Sequence, residues 1–154
     1  MHQHLNPLIV QPGAGTDLHA FGNVLTVMLS GSQTGGTLSV MTEQTPPSGG
    51  PPYHVHSRED EIFIVIEGRI RYFTAGQWTE VGPGGVVYLP RGAAHTYRNV
   101  GATPNRHWII TAPSGFERFF AAGAAEFAEP SGPDEHRILE IHHQHGIELL
   151  KDTP

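Results

Sequence analysis

Short runs rich in Val, Ile, Thr, Phe and Tyr, broken every ten residues or so by Gly or Pro, constrain this chain more than any other feature. β-branched and aromatic side chains fit a pleated, half-buried surface, while Gly and Pro make the turns between such segments. The runs predict strands near 8–11, 23–30, 36–44, 53–56, 61–66, 69–74, 78–81, 86–89, 94–100 and 106–112. Gly supplies 19 and Pro 13 of the 154 residues, and that density of turn-formers predicts an all-β sandwich or barrel rather than βαβ units. Residues 45–52 carry four prolines and cannot pair as a central strand, because proline lacks the N–H of the ladder. Gly82-Pro83-Gly84-Gly85 reads as a tight turn between two strands.

The period changes after Pro113. Ser114-Gly115-Phe116-Glu117 fits a capping box, in which hydroxyl and carboxylate satisfy free N–H groups at a helix start. A short helix should follow to about residue 127, with Phe116, Phe119 and Phe120 on one side. A second is expected from Pro133 to His145, with Ile138, Leu139 and Ile141 as its apolar stripe and Gly146 just past its end. The last few residues should be loose. No internal repeat or second-domain boundary is visible, so the expected organisation is one domain over 1–154. It has a core at about 20–112, an N-terminal strand region at 1–19 and a C-terminal helical extension at 114–146.

Composition removes several function classes. No cysteine is present, which excludes disulfides, thiolate metal sites and cysteine nucleophiles. The formal net charge is −6 and no basic run occurs, so a nucleic-acid partner is not expected. Lys151 is the single lysine, which argues against Schiff-base chemistry and a phosphate-loop lysine. No GxSxG nucleophile elbow occurs. The first residues lack the basic and apolar regions of a signal peptide, and the apolar stretch Ile62–Ile66 is far too short to span a bilayer. The expectation is a soluble, cytoplasmic protein with no membrane partner.

Eleven histidines outnumber the nine Lys and Arg combined. His54 and His56 stand two apart, so on a strand both imidazoles point to one face and can meet one ion. Glu59 and Asp60 are rival oxygen donors, but Glu61 begins the next strand and shares parity with Phe63 and Val65, whereas Glu59 sits in the connecting loop. His95 follows in a later strand. Three imidazole nitrogens and a carboxylate oxygen suit one divalent first-row transition metal (Fe, Mn, Ni, Co, Cu or Zn), with positions left open for a reacting molecule.

These residues carry a family resemblance. His54-x-His56-x4-Glu61-x6-Gly68 resembles the first motif of the cupin superfamily, except that its leading glycine is replaced by Ser48. Gly84-x5-Pro90-x-Gly92-x2-His95-x3-Asn99 resembles the second motif at every position. The short gap between the motifs is similar to that of small single-domain cupins, the monocupins. Residues 57–61 and the tail 137–150 resemble the quercetin-dioxygenase-like group. The resemblance, covering about residues 20–112, implies a small antiparallel β-barrel, a double-stranded β-helix. It also implies His54, His56, Glu61 and His95 as the ligands of an internal metal, and a long N-terminal region that pairs with a second copy to give a homodimer.

Three functions follow as expectations. The first is an oxidoreductase, a metal-dependent dioxygenase acting on a small oxygenated molecule, with an aromatic, flavonol-like one as the candidate. In it Glu61 can detach from the ion and take the substrate's proton as a general base. The second is a metal-dependent isomerase or cyclase, and the third a non-catalytic small-molecule-binding cupin. Tyr53, Phe63, Phe73, Tyr88, Tyr97 and Trp108 are candidates to line a substrate pocket, with ordinary core packing as the alternative. Arg58 could steer an anionic group or pair with Glu59 or Asp60. Asn99 and Gly92 read as turn-building residues. His142, His143 and His145 suit the last turn of a helix, bonding its free carbonyls. His2 and His4 suggest adventitious metal binding, and His19, His107 and His136 read as surface or partly buried residues.

Overall fold

The computed structural model describes residues 5–152 and 154; the His2/His4 pair lies outside them. Eleven strands and two helices are assigned among these residues: β1 (Thr16–Ala20), β2 (Asn23–Leu29), β3 (Ser39–Thr45), β4 (His54–His56), β5 (Asp60–Glu67), β6 (Ile70–Thr74), β7 (Gln77–Val81), β8 (Val86–Leu89), β9 (His95–Asn99), β10 (Asn105–Ala112), α1 (Phe116–Phe127), α2 (Glu135–Gln144) and β11 (Ile147–Leu149). They build two antiparallel sheets, a six-stranded one ordered β1-β2-β3-β10-β5-β8 and a five-stranded one ordered β11-β4-β9-β6-β7. This is the all-β barrel of the double-stranded β-helix type, followed by two C-terminal helices. None of the helices is long and apolar enough to cross a membrane.

Strand parity decides what faces inward. In β5 the buried residues alternate as Glu61, Phe63 and Val65, and in β10 as Asn105, His107, Ile109 and Thr111. Leu25, Met41, Ile70, Tyr72 and Leu89 complete the interior. Burying such side chains contributes roughly 1.5–3 kcal/mol each, which explains why the register of so twisted a barrel is held. A second cluster of Phe119, Ile141 and Ile147 joins α1, α2 and β11 over one end of the barrel.

Several local expectations need correction. Residues 8–11 are not a strand; Leu8 and Ile9 are exposed, and the first strand is instead β1. Residues 147–149, expected in no strand or helix, form β11, which pairs with β4. The cap of α1 is Gly115, with no side-chain cap from Ser114. Glu117 keeps half of the expected box, accepting from Gly115 N–H at 2.9 Å, and sends its other oxygen to Gly31 N–H at 2.8 Å. In α2 the N-cap is Asp134, which accepts from Arg137 N–H, and Leu139 is 54% exposed, outside the apolar stripe. His107 is fully buried rather than at the surface.

The turn residues behave as their chemistry requires. Gly92 has φ 85°, and Asn99 pins its loop by donating to Thr45 O and Thr103 O at 3.0 and 2.9 Å while accepting from Gly101 N–H. Ser48, which stands where the motif's leading glycine is expected, has φ 63°. A left-handed backbone at that point explains the preference for glycine there.

Candidate metal centre

The four residues His54, His56, Glu61 and His95 come together from both sheets. His54 pairs with His95 across β4 and β9, while Glu61 reaches in from β5 in the opposite sheet. Each offers one ligand atom, and the four atoms lie within 4.8 Å of one another. His54 Nε2 and His56 Nε2 are 3.1 Å apart, His95 Nε2 is 3.0 Å from Glu61 Oε2, and His56 Nε2 is 3.5 Å from it. All four residues are 7% exposed or less.

The outer nitrogens fix which lone pairs face the centre. His54 Nδ1 donates to Pro52 O at 2.7 Å and His95 Nδ1 donates to Ala93 O at 2.9 Å. A neutral ring that donates through Nδ1 leaves Nε2 as an acceptor. Behind the third ring, His56 Nδ1 stands 3.5 Å from Glu59 Oε2. So Glu59 is placed at the back of His56 while Glu61 stands among the three inner nitrogens. Glu61 Oε2, though buried, makes no hydrogen bond among the described residues. An orphaned buried carboxylate oxygen beside converging imidazole acceptors is an arrangement that a bound cation satisfies. Three nitrogens and one oxygen fit a divalent first-row ion.

Burial, with smaller contributions from His95 and His56, holds His54 down at about 3. Burial also opposes charge on His56, but the Glu61 and Glu59 carboxylates together outweigh it and raise that ring. Burial pushes the Glu61 carboxyl up, yet His56, the His95 contact and His54 prevail and hold it at about 2.

The centre forms part of the wall of a cavity of about 200 Å³. Phe21, Phe63, Phe116, Phe119 and Phe120 give it an aromatic lining, and Asn23, Glu43, Tyr97 and His142 add polar groups. Glu43 accepts from Asn23 Nδ2 at 2.9 Å, from the Tyr97 hydroxyl at 2.5 Å and from His107 Nε2 at 3.0 Å, and Tyr72 bonds His107 Nδ1 at 2.8 Å. Burial first, then the Glu43 charge, pushes the Tyr97 and Tyr72 hydroxyls well above their ordinary value, so both remain protonated.

A profile of the cupin domain matches residues 41–110. These residues are a cupin domain. Quercetin 2,3-dioxygenase of Bacillus subtilis (strain 168) is 25% identical over 114 residues, which cover 74% of this chain and 34% of that protein. The chain spans about a third of the length of the curated relatives it matches. Among solved structures, KdgF from Halomonas sp. superposes with a TM-score of 0.65 at 13% identity, covering 73% of this chain and 99% of that one. The polyketide cyclase RemF from Streptomyces resistomycificus gives 0.60 at 21% identity, covering 71% and 81%. At such identities the likeness to these two is one of fold.

The cupin domain contributes all four candidate ligands, Glu43, Phe63 and Tyr97, with Ile109 and the Gly50–Pro52 stretch beside them, and segments on either side of it complete the cavity. Phe21 and Asn23 come from before it, and Phe116, Phe119, Phe120, Ile138, His142, Ile147 and Leu149 from the segment after it. Of the six aromatic residues expected in a pocket, the structure brings only Phe63 and Tyr97 to the cavity. Tyr53, Phe73, Tyr88 and Trp108 have the opposite strand parity: Tyr53 packs on Phe73 and Phe73 on Trp78, Tyr88 is 59% exposed, and Trp108 alternates with the inward His107 and Ile109. Arg58 pairs with neither Glu59 nor Asp60; Asp60 is taken by Arg91 at 2.9 Å. Glu43 was legible as an inward charge, since it alternates with Met41 and Thr45 in β3. The phenylalanine roof was visible only as a helix stripe with no stated partner.

Proposed function

We propose that this protein is a metal-dependent cupin enzyme acting on a small oxygenated aromatic molecule, with dioxygen as co-substrate. The observation that carries this reading is the set of three imidazole nitrogens and one carboxylate oxygen, its inner faces open, in the wall of a cavity lined by phenylalanine. The named activity of the Bacillus subtilis relative supports the dioxygenase version. A divalent ion bound there would lower the pKa of a substrate hydroxyl and orient it. His54, His56 and His95 would hold that ion through Nε2, and Glu61 would supply the one anionic donor and, on release, could accept the substrate's proton. Phe21, Phe63, Phe116 and Phe119 would sandwich a flat ring and exclude water, which strengthens every electrostatic contact inside.

A second reading keeps the site and drops dioxygen: an isomerase or cyclase. The polar end of the cavity, where Asn23, Glu43 and Tyr97 offer proton donors and acceptors, favours it. Dependence of turnover on dioxygen separates the two.

The first test is elemental analysis of protein purified without a nickel column, beside Glu61→Ala and His95→Ala. About one equivalent of a first-row metal in the parent, lost in both variants, is expected, and oxygen-consumption assays on catechols and flavonols follow. No metal in the parent after reconstitution overturns the catalytic reading and leaves a small-molecule-binding barrel. We also infer that the protein acts as a homodimer.

A further inference from the structure

One imidazole in the cavity wall belongs neither to the ligand set nor to the buried Glu43 network. His142 is 8% exposed, and its Nδ1 donates to Ile138 O at 2.7 Å. That bond is the one expected of a histidine near a helix end, but it uses a single nitrogen. With the proton on Nδ1, Nε2 carries the lone pair, and among the described residues no side chain or backbone group donates to it. The ring packs against Phe119 at 4.8 Å and Phe21 at 5.7 Å between centroids, and it lines the same cavity as His54, His56, Glu61 and His95. Nε2 is therefore a free acceptor on a ring that lines the cavity, available to a donor bound there. His143, the next residue on α2, is exposed and has no such position.

We propose that His142 Nε2 is the proton acceptor of the cavity, taking the hydroxyl proton of a phenol or enol held at the His54–His56–Glu61–His95 centre. The proposal rests on the reading of that centre as the place where substrate binds. In the step the substrate O–H bond breaks and an Nε2–H bond forms. The electron pair stays on the substrate oxygen, as phenolate or enolate, and the imidazolium keeps its Nδ1–H on Ile138 O. Return of the proton to the product restores the neutral ring. Glu61 then need not leave the ion to act as base. Burial lowers the pKa of His142, with His56 and His145 adding to the effect, so the ring is neutral and ready to accept near pH 7. The titratable groups that reach it are His56 on β4 and His145 at the end of its own helix; α1 and the β1–β2 turn face it with Phe119 and Phe21.

The test uses zinc-loaded protein and 4-nitrocatechol, whose absorbance distinguishes its protonation states. The bound probe in His142→Gln and His142→Phe should need a pH about one unit higher for deprotonation than in the parent, with zinc content unchanged. The exposed His143→Gln should match the parent. In the parent, ¹⁵N spectra should show His142 as the Nδ1–H tautomer, with Nε2 gaining a proton when the probe binds. Probe binding that leaves His142 Nε2 unchanged, or equal deprotonation midpoints in parent and His142 variants, overturns this proposal alone. Failure of the zinc-loaded parent to bind the probe overturns the substrate-site reading and this proposal with it.

Discussion

Glu59 is the carboxylate that stands behind the candidate centre. It is 5% exposed, its Oε2 has no hydrogen-bond partner among the described residues, and the nearest donor is His56 Nδ1 at 3.5 Å. His54 and His95 are oriented by backbone carbonyls, which side-chain substitution cannot remove; His56 alone depends on a side chain for this. Partners behind a ligating histidine fix its ring and raise its basicity. Glu59→Gln is therefore expected to weaken metal affinity by about 10–100-fold with the fold intact, read by competition with a chromophoric chelator. Unchanged affinity would mean that packing on Phe116, 5.5 Å away, suffices to hold the ring. At this scale the sequence was informative because chemistry and spacing coincide. His54, His56 and His95 are legible from two-residue parity and the motif pattern, and Glu61 from its place on β5. His142 was not, since its neighbours His143 and His145 made all three look like a helix end, and only the packing of α2 over the barrel turns one of them inward.

Elements succeed or fail here by how strongly their pattern is tied to the core. The alternation in β5 and β10 was readable because one face is buried along the whole strand. Leu8, Ile9 and Val10 imitate a strand by composition, yet nothing pairs with them, whereas β1 hides behind Asp17 and His19 and is made by its ladder with β2. β11, three residues long, carries no pattern of its own. The start of α1 shows the same dependence on distant partners, because Glu117 joins the helix to the loop at Gly31. Burial pushes the Glu117 carboxyl up, but the N–H groups of Gly31 and Gly115 outweigh it and keep the group below its ordinary 4.5. A depressed carboxyl contributes stability above its unfolded pKa and loses it as pH falls through the folded value. Glu117→Gln should cost about 2 kcal/mol at pH 7, the usual worth of hydrogen bonds to a charged group. The gap to the parent should close below pH 4.5 in denaturant titrations. A gap that persists at acid pH would assign the effect to packing rather than charge.

For the molecule as a whole, exposed apolar side chains group in the N-terminal segment with Leu5, Leu8 and Ile9, and on the edge strand β8 with Val86 and Tyr88 at 63% and 59% exposure, whereas Val100, Phe127 and Leu139 stand elsewhere in the sequence. An unpaired edge with apolar side chains invites pairing with another chain. The proposed homodimer should show twice the 16.7 kDa chain mass by light scattering, and Tyr88→Asp should convert it to the monomer. A parent that is monomeric at every concentration would reject the pairing. Association of this kind could be anticipated from the sequence only by resemblance, since which residues stay uncovered is decided by tertiary packing. The closure of the barrel has a different consequence. β4, which carries His54 and His56, is flanked by β9 and β11, and Ser57 Oγ donates to Gly146 O across 89 positions of the chain. Contacts so remote form late, after the loop-closure entropy of most of the chain has been overcome. The strand that carries two of the four donors is thus held on one side by a neighbour nearer in sequence and on the other by a latch from the far end of the chain.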